Sequence, residues 1–421
     1  MRDDAARAVY VPRLIDPLLD DLLEELPGLL VVGPRAVGKT TTVARRAETV
    51  IALSVEAQAA AFAADPDSAL AGLDEPVLLD EWQEVPSVFG AVRRAVDADP
   101  RPGRFFLTGS VRAELDAEVW PGTGRLTRLP MYPMTIREQL GQVDDATFFD
   151  TLAAGQPLTV PADTPDLRGY VELVLRSGFP VSALRLTGRR RELSLEAYLD
   201  QLLTRDVAQL EESATRRRDR QRLLRYFEAY ALNSGGVLDH RTIYDGAQLN
   251  RITANAYEDL LTNLFVVEQV PPWTSNRLKR LVRQPKRYVI DAALIASALR
   301  LDANGIMFDG DLLGRVLDTF VAAQLRPELA VSRTRPRLFH LRTEQGRHEV
   351  DLVAELGGQR LIAVDIKANA APDARNDAKH LVWLRDELGD RFVAGVVLHS
   401  GPRIYQLSER ITAAPISTLW G

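Results

Sequence analysis

Apolar residues in the first 130 positions follow two alternating patterns: short continuous runs, and runs with a spacing of three to four residues. Continuous runs are typical of strands buried on both faces, and the spaced runs are typical of amphipathic helices. Their alternation predicts an α/β fold, a parallel sheet with helices on both faces. The predicted strands are 29–32, 50–55, 77–79, 104–108 and 125–129, and the predicted helices are 13–27, 38–48, 57–70 and 87–97.

The middle of the chain has mainly helical spacing. Segments 166–178 and 189–212 predict long helices without an intervening strand. Shorter helices are then predicted before two strands, which surround a basic loop. Helices followed by a β-hairpin give the order of a winged helix, and Asn250–Tyr257 suits the start of its recognition helix. The shorter helices are 223–233, 242–247 and 254–264, and the strands are 265–270 and 287–290.

The last third returns to alternating strands and helices. We therefore predict four units: a first α/β core (1–145), a helical lid (146–215), a winged-helix module (216–303) and a second α/β domain (304–421). The predicted strands of that last domain are 338–342, 349–355, 361–366 and 394–398, and its predicted helices are 313–325 and 374–387.

A phosphate-binding loop follows the first predicted strand. Gly33–Thr40 has the pattern G-x-x-x-x-G-K-[ST] between a strand and a helix, and this context distinguishes a P-loop from a chance glycine-rich turn. Lys39 is expected to contact the β- and γ-phosphates of ATP, and the Thr40 hydroxyl to bind Mg²⁺. The predicted nucleotide-binding residues of the loop are Gly33, Pro34, Arg35, Ala36, Val37, Gly38, Lys39, Thr40 and Thr41.

Polar residues also end two neighbouring predicted strands. Carboxylates at the carboxyl end of a parallel strand face the ligand crevice. We expect Asp80 to hold Mg²⁺ and Glu81 to polarise the attacking water. The alternative is an acid pair that caps the next helix. Thr108 and Ser110 are placed to sense the γ-phosphate, although Thr-Gly-Ser is also an ordinary turn.

The composition limits the number of domains, the kinds of site and the cellular location that we expect. The 421 residues suffice for two to four domains, and the absence of cysteine excludes disulfide scaffolds, thiolate metal sites and cysteine nucleophiles. Neither a signal-peptide pattern nor an apolar run long enough to cross a bilayer occurs, so we expect a cytoplasmic protein. The net charge of −6 gives no global reason to expect nucleic-acid binding, which would need a local basic patch.

Such a patch occupies the loop of the predicted hairpin and the strand after it. Six cations within eleven residues, with no acid among them, suit a wing that contacts DNA or RNA phosphates. A solvated loop, or a surface that docks on the acidic ATPase core, would give the same pattern. The six are Arg277, Lys279, Arg280, Arg283, Lys286 and Arg287.

Two acids and a lysine mark neighbouring strands of the C-terminal domain. Asp351 lies in one strand, and Asp365 and Lys367 share a face of the next because side chains alternate along a strand. Together they could bind Mg²⁺ and activate a water for phosphodiester hydrolysis. The alternative is an ion pair on a structural sheet.

The block from Arg13 to Arg137 resembles the AAA+ ATPase core of a large bacterial and archaeal family. The matching pieces, besides the P-loop, are Leu78-Leu-Asp-Glu-Trp-Gln83, Phe106-Leu-Thr-Gly-Ser110, Gly124-Arg125 and Tyr132-Pro-Met-Thr-Ile-Arg-Glu138. The resemblance implies that Arg125 reaches the nucleotide of a neighbouring subunit, which would require a homo-oligomer, and that Arg205 is a lid-side sensor. For either arginine a surface ion pair is the alternative.

The same family carries a PD-(D/E)xK restriction-endonuclease-like domain at the C-terminal position. Glu349-Val-Asp351 and Asp365-Ile-Lys367 resemble its core, and Asp318 corresponds to its helix acid. The resemblance implies metal ligation by Asp318, Asp351 and Asp365. Aspartate stands where the family more often has glutamate at 318 and 365, which shortens the reach to a metal ion.

These observations predict a Mg²⁺-dependent ATPase whose nucleotide state controls engagement of nucleic acid, with a metal-dependent nuclease site as a second hypothesis. The alternative is a non-catalytic, ATP-dependent switch with an inactive nuclease fold, which would serve to recruit a protein partner.

Overall fold

The computed structural model describes residues 10–110, 125–143, 146–205, 216–273, 284–343 and 346–421. Its N-terminal region contains a five-stranded parallel sheet in the order β2-β3-β4-β1-β5, which confirms the predicted α/β class. The strands are β1 (Gly28–Val32), β2 (Thr49–Ala52), β3 (Val77–Asp80), β4 (Phe105–Gly109) and β5 (Thr127–Pro130). The helices are α1 (Asp16–Glu25), α2 (Lys39–Val43), α3 (Glu56–Ala64), α4 (Pro66–Leu70) and α5 (Val88–Ala98).

The strand order decides what lies beside the P-loop. Strand β4 pairs with β1 on one side and with β3 on the other, all parallel. The carboxyl ends of β1, β3 and β4 therefore meet at one edge of the sheet. One predicted helix, 57–70, is divided into α3 and α4 because Pro66 cannot continue a helix and Asp65 caps the second one, accepting from the Ser68 N–H.

The middle region is helical and contains one hairpin. Three helices precede the hairpin, and helix Ala292–Leu299 then packs against helices Leu167–Arg176, Gly188–Arg205 and Arg216–Leu232, so that it contacts both the predicted lid and the predicted winged-helix module. The elements are α6 (Ile136–Gln139), α7 (Phe148–Ala153), α8 (Leu167–Arg176), α9 (Pro180–Leu184), α10 (Gly188–Arg205), α11 (Arg216–Leu232), α12 (His240–Gly246), α13 (Arg251–Asn263), β6 (Val267–Val270), β7 (Lys286–Val289), α14 (Ala292–Leu299) and α15 (Ala303–Phe308).

The C-terminal region is a mixed six-stranded sheet with helices on its faces. Its order is β12-β13-β11-β10-β9-β8, and β10, β11 and β13 are parallel. Sequence patterning missed β12 and β13. The elements are α16 (Gly310–Val331), β8 (Arg337–Arg342), β9 (Glu349–Leu356), β10 (Arg360–Lys367), α17 (Lys379–Leu388), β11 (Phe392–His399), β12 (Tyr405–Ser408) and β13 (Ile411–Pro415).

Helix α16 joins the C-terminal sheet to the N-terminal region that contains the parallel sheet. Its Glu328 forms an ion pair with Arg137 at 3.1 Å, with only 3% and 6% of the two side chains exposed. The second Glu328 oxygen accepts from the Phe148 N–H at 2.8 Å, and Gln324 accepts from the Ile136 N–H at 2.7 Å. Because buried charges must be paired to be tolerated, these contacts fix the position of the N-terminal region relative to the C-terminal sheet.

Within the described residues, no helix combines the length and the apolar character needed to cross a bilayer.

Replacing Arg137 with Met is expected to lower the melting temperature clearly, because an unpaired buried carboxylate costs about 3–5 kcal/mol. Burial, opposed by Arg137, raises the pKa of Glu328 from 4.5 to about 7. Because the pKa of Glu328 is higher in the folded protein than in the unfolded chain, the free energy of unfolding decreases as pH rises from 4.5 through 7. Without Arg137 the pKa of Glu328 in the folded protein rises further, so this decrease continues to higher pH. The loss in the variant should therefore be larger at pH 8 than at pH 6, as measured by thermal unfolding.

The matched control is Arg168→Met, because Arg168 pairs with Glu172 on the surface, where the two side chains are 50% and 63% exposed. This variant should melt within about 1 °C of the wild type at both pH values. Equal melting temperatures for the two variants would contradict the assigned role of the Arg137–Glu328 pair.

Candidate functional site

The P-loop connects β1 to α2 along a path that requires glycine at two positions. A Cβ on Gly33 would lie 2.0 Å from the carbonyl oxygen of Met131, at the end of β5. Gly38 has φ +95°, in the left-handed region that side chains disfavour. The predicted loop therefore has the tight backbone that close approach to phosphate requires.

Lys39 is buried at the centre of this loop. Its ammonium donates to the carbonyl oxygens of Gly33 at 3.0 Å and of Pro34 at 2.8 Å. Burial lowers the pKa of Lys39 from 10.5 to about 8, and the charges of Glu81 and Asp80 oppose this shift. A lysine with a lowered pKa inside a glycine-rich loop would gain most from a polyanionic ligand.

Asp80, at the end of β3, lies against the P-loop. The Thr40 hydroxyl donates to its Oδ1 at 2.6 Å, and the Thr108 hydroxyl, from the end of β4, donates to the same oxygen. A carboxylate beside a hydroxyl is the oxygen donor set that Mg²⁺ prefers. The residues present at this position therefore fit a magnesium ion.

Glu81 adopts an unusual backbone conformation next to Asp80. Its φ of 54° and ψ of 52° lie in the left-handed region, which non-glycine residues enter at an energetic cost. The Glu81 carboxylate accepts from the side-chain amide of Gln83 and from the Ser110 hydroxyl at 3.3 Å. The backbone and these two donors aim the carboxylate into the cavity beside the P-loop.

That cavity, of about 650 Å³, is large enough for a nucleotide. The P-loop and Glu81 form one wall, Tyr10 and Val11 a second, and helix α9 with Val181 and Leu184 a third. Val181 is 50% and Leu184 44% exposed, although both are apolar. Sequence analysis missed these walls because tertiary packing alone brings them to the P-loop.

Two arginines were predicted from the family resemblance. Arg125 precedes β5 and pairs with Asp97 at 2.5 Å. Since β5 is parallel to β1, Arg125 lies at the edge of the sheet away from its own P-loop, and the predicted action on a neighbouring subunit stays a prediction. Helix α10 ends at Arg205, whose side chain is outside the described residues. The lid-side arginine that does line the cavity is Arg185, directly after α9.

The predicted nucleic-acid contacts divide into two sets. Arg277, Lys279, Arg280 and Arg283 lie outside the described residues. Lys286 and Arg287 lie in β7 and are only 1% and 7% exposed. Arg287 pairs with Glu258 at 2.7 Å, and Lys286 pairs with two aspartates. The prediction that these two cations contact phosphates is therefore corrected, because both are buried and already neutralised.

Lys286 lies within the predicted nuclease site. Its ammonium is 2.5 Å from Asp318 Oδ2 and 2.9 Å from Asp351 Oδ1. Asp365 is the next carboxylate, and its Oδ1 accepts from the Asp351 N–H at 3.2 Å. Lys367, two residues on in β10, is half-buried. The structure thus brings together the four residues predicted for the nuclease site, which are Asp318, Asp351, Asp365 and Lys367. It adds Lys286, which was predicted to contact nucleic acid.

The charges of this cluster interact strongly. Burial raises the pKa of Asp318 to about 7 against the effect of Lys286, and burial together with the Asp351 charge raises that of Asp365 to about 7. For Asp351 the cations Lys286 and Lys367 outweigh burial, and its pKa is lowered. Despite desolvation, the carboxylates raise the pKa of Lys286 well above 10.5.

A metal ion does not fit this arrangement. Across the residues that the structure describes, no group of three or more His, Cys, Asp or Glu side chains is placed to hold one. The predicted metal ligation by Asp318, Asp351 and Asp365 is therefore corrected. The physical reason is that the Lys286 ammonium stands between two of the carboxylates.

Three family matches follow one another along the chain. Residues 27–140 match the family described as AAA domain. This match supports an AAA+ ATPase core. Residues 167–305 and 313–419 match two families that are each described as a domain of unknown function, DUF8612 and DUF4143. Neither description bears on a winged helix or a nuclease.

Two mycobacterial proteins are similar over most of the chain. They are the uncharacterized proteins Rv2008c of Mycobacterium tuberculosis and Mb2031c of Mycobacterium bovis. Each is 29% identical over 410 residues, which cover 93% of this chain and 81% of the relative. The similarity therefore extends through all three matched segments.

Solved structures overlap weakly. A RuvB protein from Thermotoga maritima has a TM-score of 0.29 at 16% identity, covering 68% of this chain and 94% of its own. Protein VC1899 from Vibrio cholerae has a TM-score of 0.21 at 12% identity, covering 97% of this chain and 92% of its own. At these TM-scores the overlaps do not bear on fold or function.

We expect ATP affinity to depend on the protonation of Lys39. Only the charged ammonium attracts phosphate, and its pKa of about 8 means that the charged fraction falls between pH 7 and 9. The Kd for ATP should rise by roughly tenfold over that range, as measured by calorimetric titration.

The control is Lys39→Arg, since a guanidinium stays charged throughout this range. Its Kd should change with pH only as ATP itself titrates. Parallel pH profiles for the two proteins would rule out titration of Lys39 as the cause.

Proposed function

We propose that the protein is a Mg²⁺-dependent ATPase whose nucleotide state acts on its middle and C-terminal regions. The observation that supports this most directly is the hydrogen bond of 2.6 Å between Thr40 and Asp80, beside the buried ammonium of Lys39. Two segments distant in sequence, residues 33–40 and 80–81, would thereby supply a phosphate loop, a magnesium donor set and the carboxylate of Glu81 beside one cavity.

The polar residues of the P-loop and of the neighbouring strand ends have distinct proposed roles. Lys39 binds the β- and γ-phosphates, and Thr40 with Asp80 would hold Mg²⁺. When bound, Mg²⁺ neutralises charge on phosphate oxygens. Glu81 accepts a proton from the attacking water, while Gln83 and Ser110 fix the orientation of its carboxylate.

The nucleoside would lie between the N-terminal segment and the lid. Tyr10 and Val11 line the same cavity as the exposed apolar residues Val181 and Leu184, so a planar base would bury apolar surface there. Arg185 is placed to read phosphate charge from the lid. Arg205 and Arg125 stay candidates for the same kind of role, in the lid and in trans within a homo-oligomer.

A chain of buried polar contacts connects this cavity to helix α16. Arg13 donates to the P-loop carbonyl of Val37 at 2.8 Å and pairs with Glu138 at 3.0 Å. Glu138 lies in α6, and its neighbour Arg137 pairs with Glu328 of α16. A shift of the P-loop on nucleotide binding would therefore act on the helix that supports the C-terminal sheet.

The cationic loop between β6 and β7 is the proposed contact with DNA or RNA. Four of the six predicted cations remain candidates there. Helix α13 supports the proposal, because Asn250 caps it by accepting from the Thr253 N–H at 2.9 Å and its first residues Arg251 and Ile252 are exposed. The N-terminal residues of a recognition helix are those that contact base edges in the major groove.

A second candidate function is a non-catalytic switch that binds ATP and docks a partner. The position of Lys286 favours it over a nuclease, since the predicted catalytic carboxylates already bind a lysine. ATP turnover separates the switch from the ATPase.

Glu81→Gln is expected to retain ATP binding and to lose at least about 100-fold in turnover, because the amide cannot accept the proton from water. Steady-state phosphate release with Mg²⁺ measures turnover, and calorimetric titration measures binding. The matched control is Glu84→Gln, which changes an exposed acid in the same short helical turn, Trp82–Glu84, and should leave turnover within twofold. Tight ATP binding by the wild type without measurable turnover would favour the switch.

Changing Arg277, Lys279, Arg280 and Arg283 together to Gln should weaken binding to duplex DNA and reduce the slope of log Kd against log salt by roughly 3 to 4. Fluorescence anisotropy between 50 and about 200 mM salt measures the slope. Arg189→Gln with Arg190→Gln, two exposed cations of α10, is the control and should leave it unchanged. An identical slope in the fourfold variant would remove the loop from the proposed interface.

A further inference from the structure

The ammonium of Lys286 contacts two of the three carboxylates that the restriction-endonuclease resemblance implies as metal ligands. Its side chain is 1% exposed, and it contacts Asp318 from helix α16 and Asp351 from strand β9 at 2.5 and 2.9 Å. The contact with Asp351 has the length of a charge-assisted N–H···O bond, and the contact with Asp318 is shorter, whereas Mg²⁺ requires oxygen ligands at about 2.0–2.1 Å in an octahedron.

Protein donors also occupy the other oxygens of this pair. The Tyr288 hydroxyl donates to Asp318 Oδ1 at 2.8 Å, and the Ile366 N–H donates to Asp351 Oδ2 at 3.0 Å. The pair thus has all four oxygens bonded within the chain. In the third carboxylate, Asp365, Oδ2 is buried and has no hydrogen-bond partner among the described residues.

The hairpin that carries Lys286 is attached to the sheet by its backbone as well. The Trp273 N–H donates to the His340 carbonyl at 2.7 Å, and the His340 N–H donates to the Pro271 carbonyl at 3.1 Å. The indole of Trp273 donates to Glu355 at 3.2 Å, and the His340 ring contacts the Gln284 carbonyl at 2.9 Å. The segments after β6 and before β7 are therefore both fixed to β8 and β9.

We propose that Asp318 and Asp351 form a binding site for the Lys286 ammonium, which takes the place of a metal ion, and that the C-terminal sheet serves to dock the hairpin rather than to cleave phosphodiesters. The site balances charge without metal, because Lys286 lies between the two carboxylates and Lys367 lies close to Asp351. Removing a lysine from such a site would leave buried carboxylates unpaired.

Helix α16 links this docking site to the ATPase core. Asp318 binds Lys286, while Gln324 and Glu328, about two and three helical turns further along, accept from the N–H groups of Ile136 and Phe148. The ammonium site therefore fixes the position of the hairpin relative to the same helix that contacts the nucleotide-binding core. Its role is positional, because it fixes strand β7 to helix α16 and to strand β9.

The first test is metal binding to the nucleotide-free wild type, which does not depend on ATPase activity. We expect calorimetric titration with Mn²⁺ to give the same binding curve for the wild type and for Asp351→Asn, because Asp351 holds no metal ion. The melting temperature of the wild type should be the same with Mn²⁺ and with EDTA. One Mn²⁺ bound per chain in the wild type and lost in Asp351→Asn would overturn the proposal.

The second test compares the two lysines of the cluster. Lys286→Met should lower the melting temperature by about 5 °C or more, whereas Lys367→Met, at a half-buried position, should change it by less than about 2 °C. Lys286→Met leaves the Asp318 carboxylate buried without its cation, and Asp318→Asn removes that carboxylate charge. The loss of melting temperature in the double variant should therefore be smaller than the sum of the losses in the two single variants.

Equal melting temperatures for the two lysine variants, or strictly additive losses in the double variant, would overturn the proposal. Should Lys286→Met fail to fold, the Mn²⁺ titration of the wild type still decides, since it needs no change at this residue.

Discussion

Pairing of buried charge on helix α16 is the constraint on which the arrangement of this protein depends. Four buried polar side chains of that helix find their partners on other segments of the chain. Asp318 binds Lys286, Gln324 binds the Ile136 N–H, Arg326 pairs with Glu268 and Glu328 pairs with Arg137. Since none of these groups could be buried alone without a large desolvation cost, the helix holds the hairpin, the ATPase core and the C-terminal sheet together.

The cavity beside the P-loop also contains a buried charge, but there the charge lacks a full set of partners among the residues that the structure describes. Burial lowers the pKa of Lys39, and the left-handed conformation of Glu81 turns its carboxylate into the cavity. Both features cost stability in the protein alone, and a polyanionic ligand would recover some of that cost. Strained or desolvated residues that the surrounding packing holds in place are typical of functional sites, whereas Glu328 and Asp318 of α16 are hydrogen-bonded to Arg137 and Lys286 within the chain.

The hairpin shows how one charge pattern can have two physical meanings. Six cations within eleven residues look alike in the sequence, yet Lys286 and Arg287 lie in β7, where their side chains are buried against Asp318, Asp351 and Glu258. The acids that neutralise them are up to 65 residues distant, so local composition could not reveal them. The two cations of the strand are therefore buried partners of distant acids, which the run of charges in the sequence did not indicate.

Local sequence determined the strands of the first sheet, the P-loop and the acids after β3, because continuous apolar runs and a motif between strand and helix depend on neighbouring residues alone. It also determined the main strands and helices of the C-terminal domain, but not β12 and β13, which are only four and five residues long. The tertiary structure alone decided that Tyr10, Val181 and Arg185 line the nucleotide cavity, and that a lysine lies among the predicted metal ligands. The physical reason is that such contacts join segments far apart in sequence, and the requirement to pair buried charge acts only after those segments have packed together.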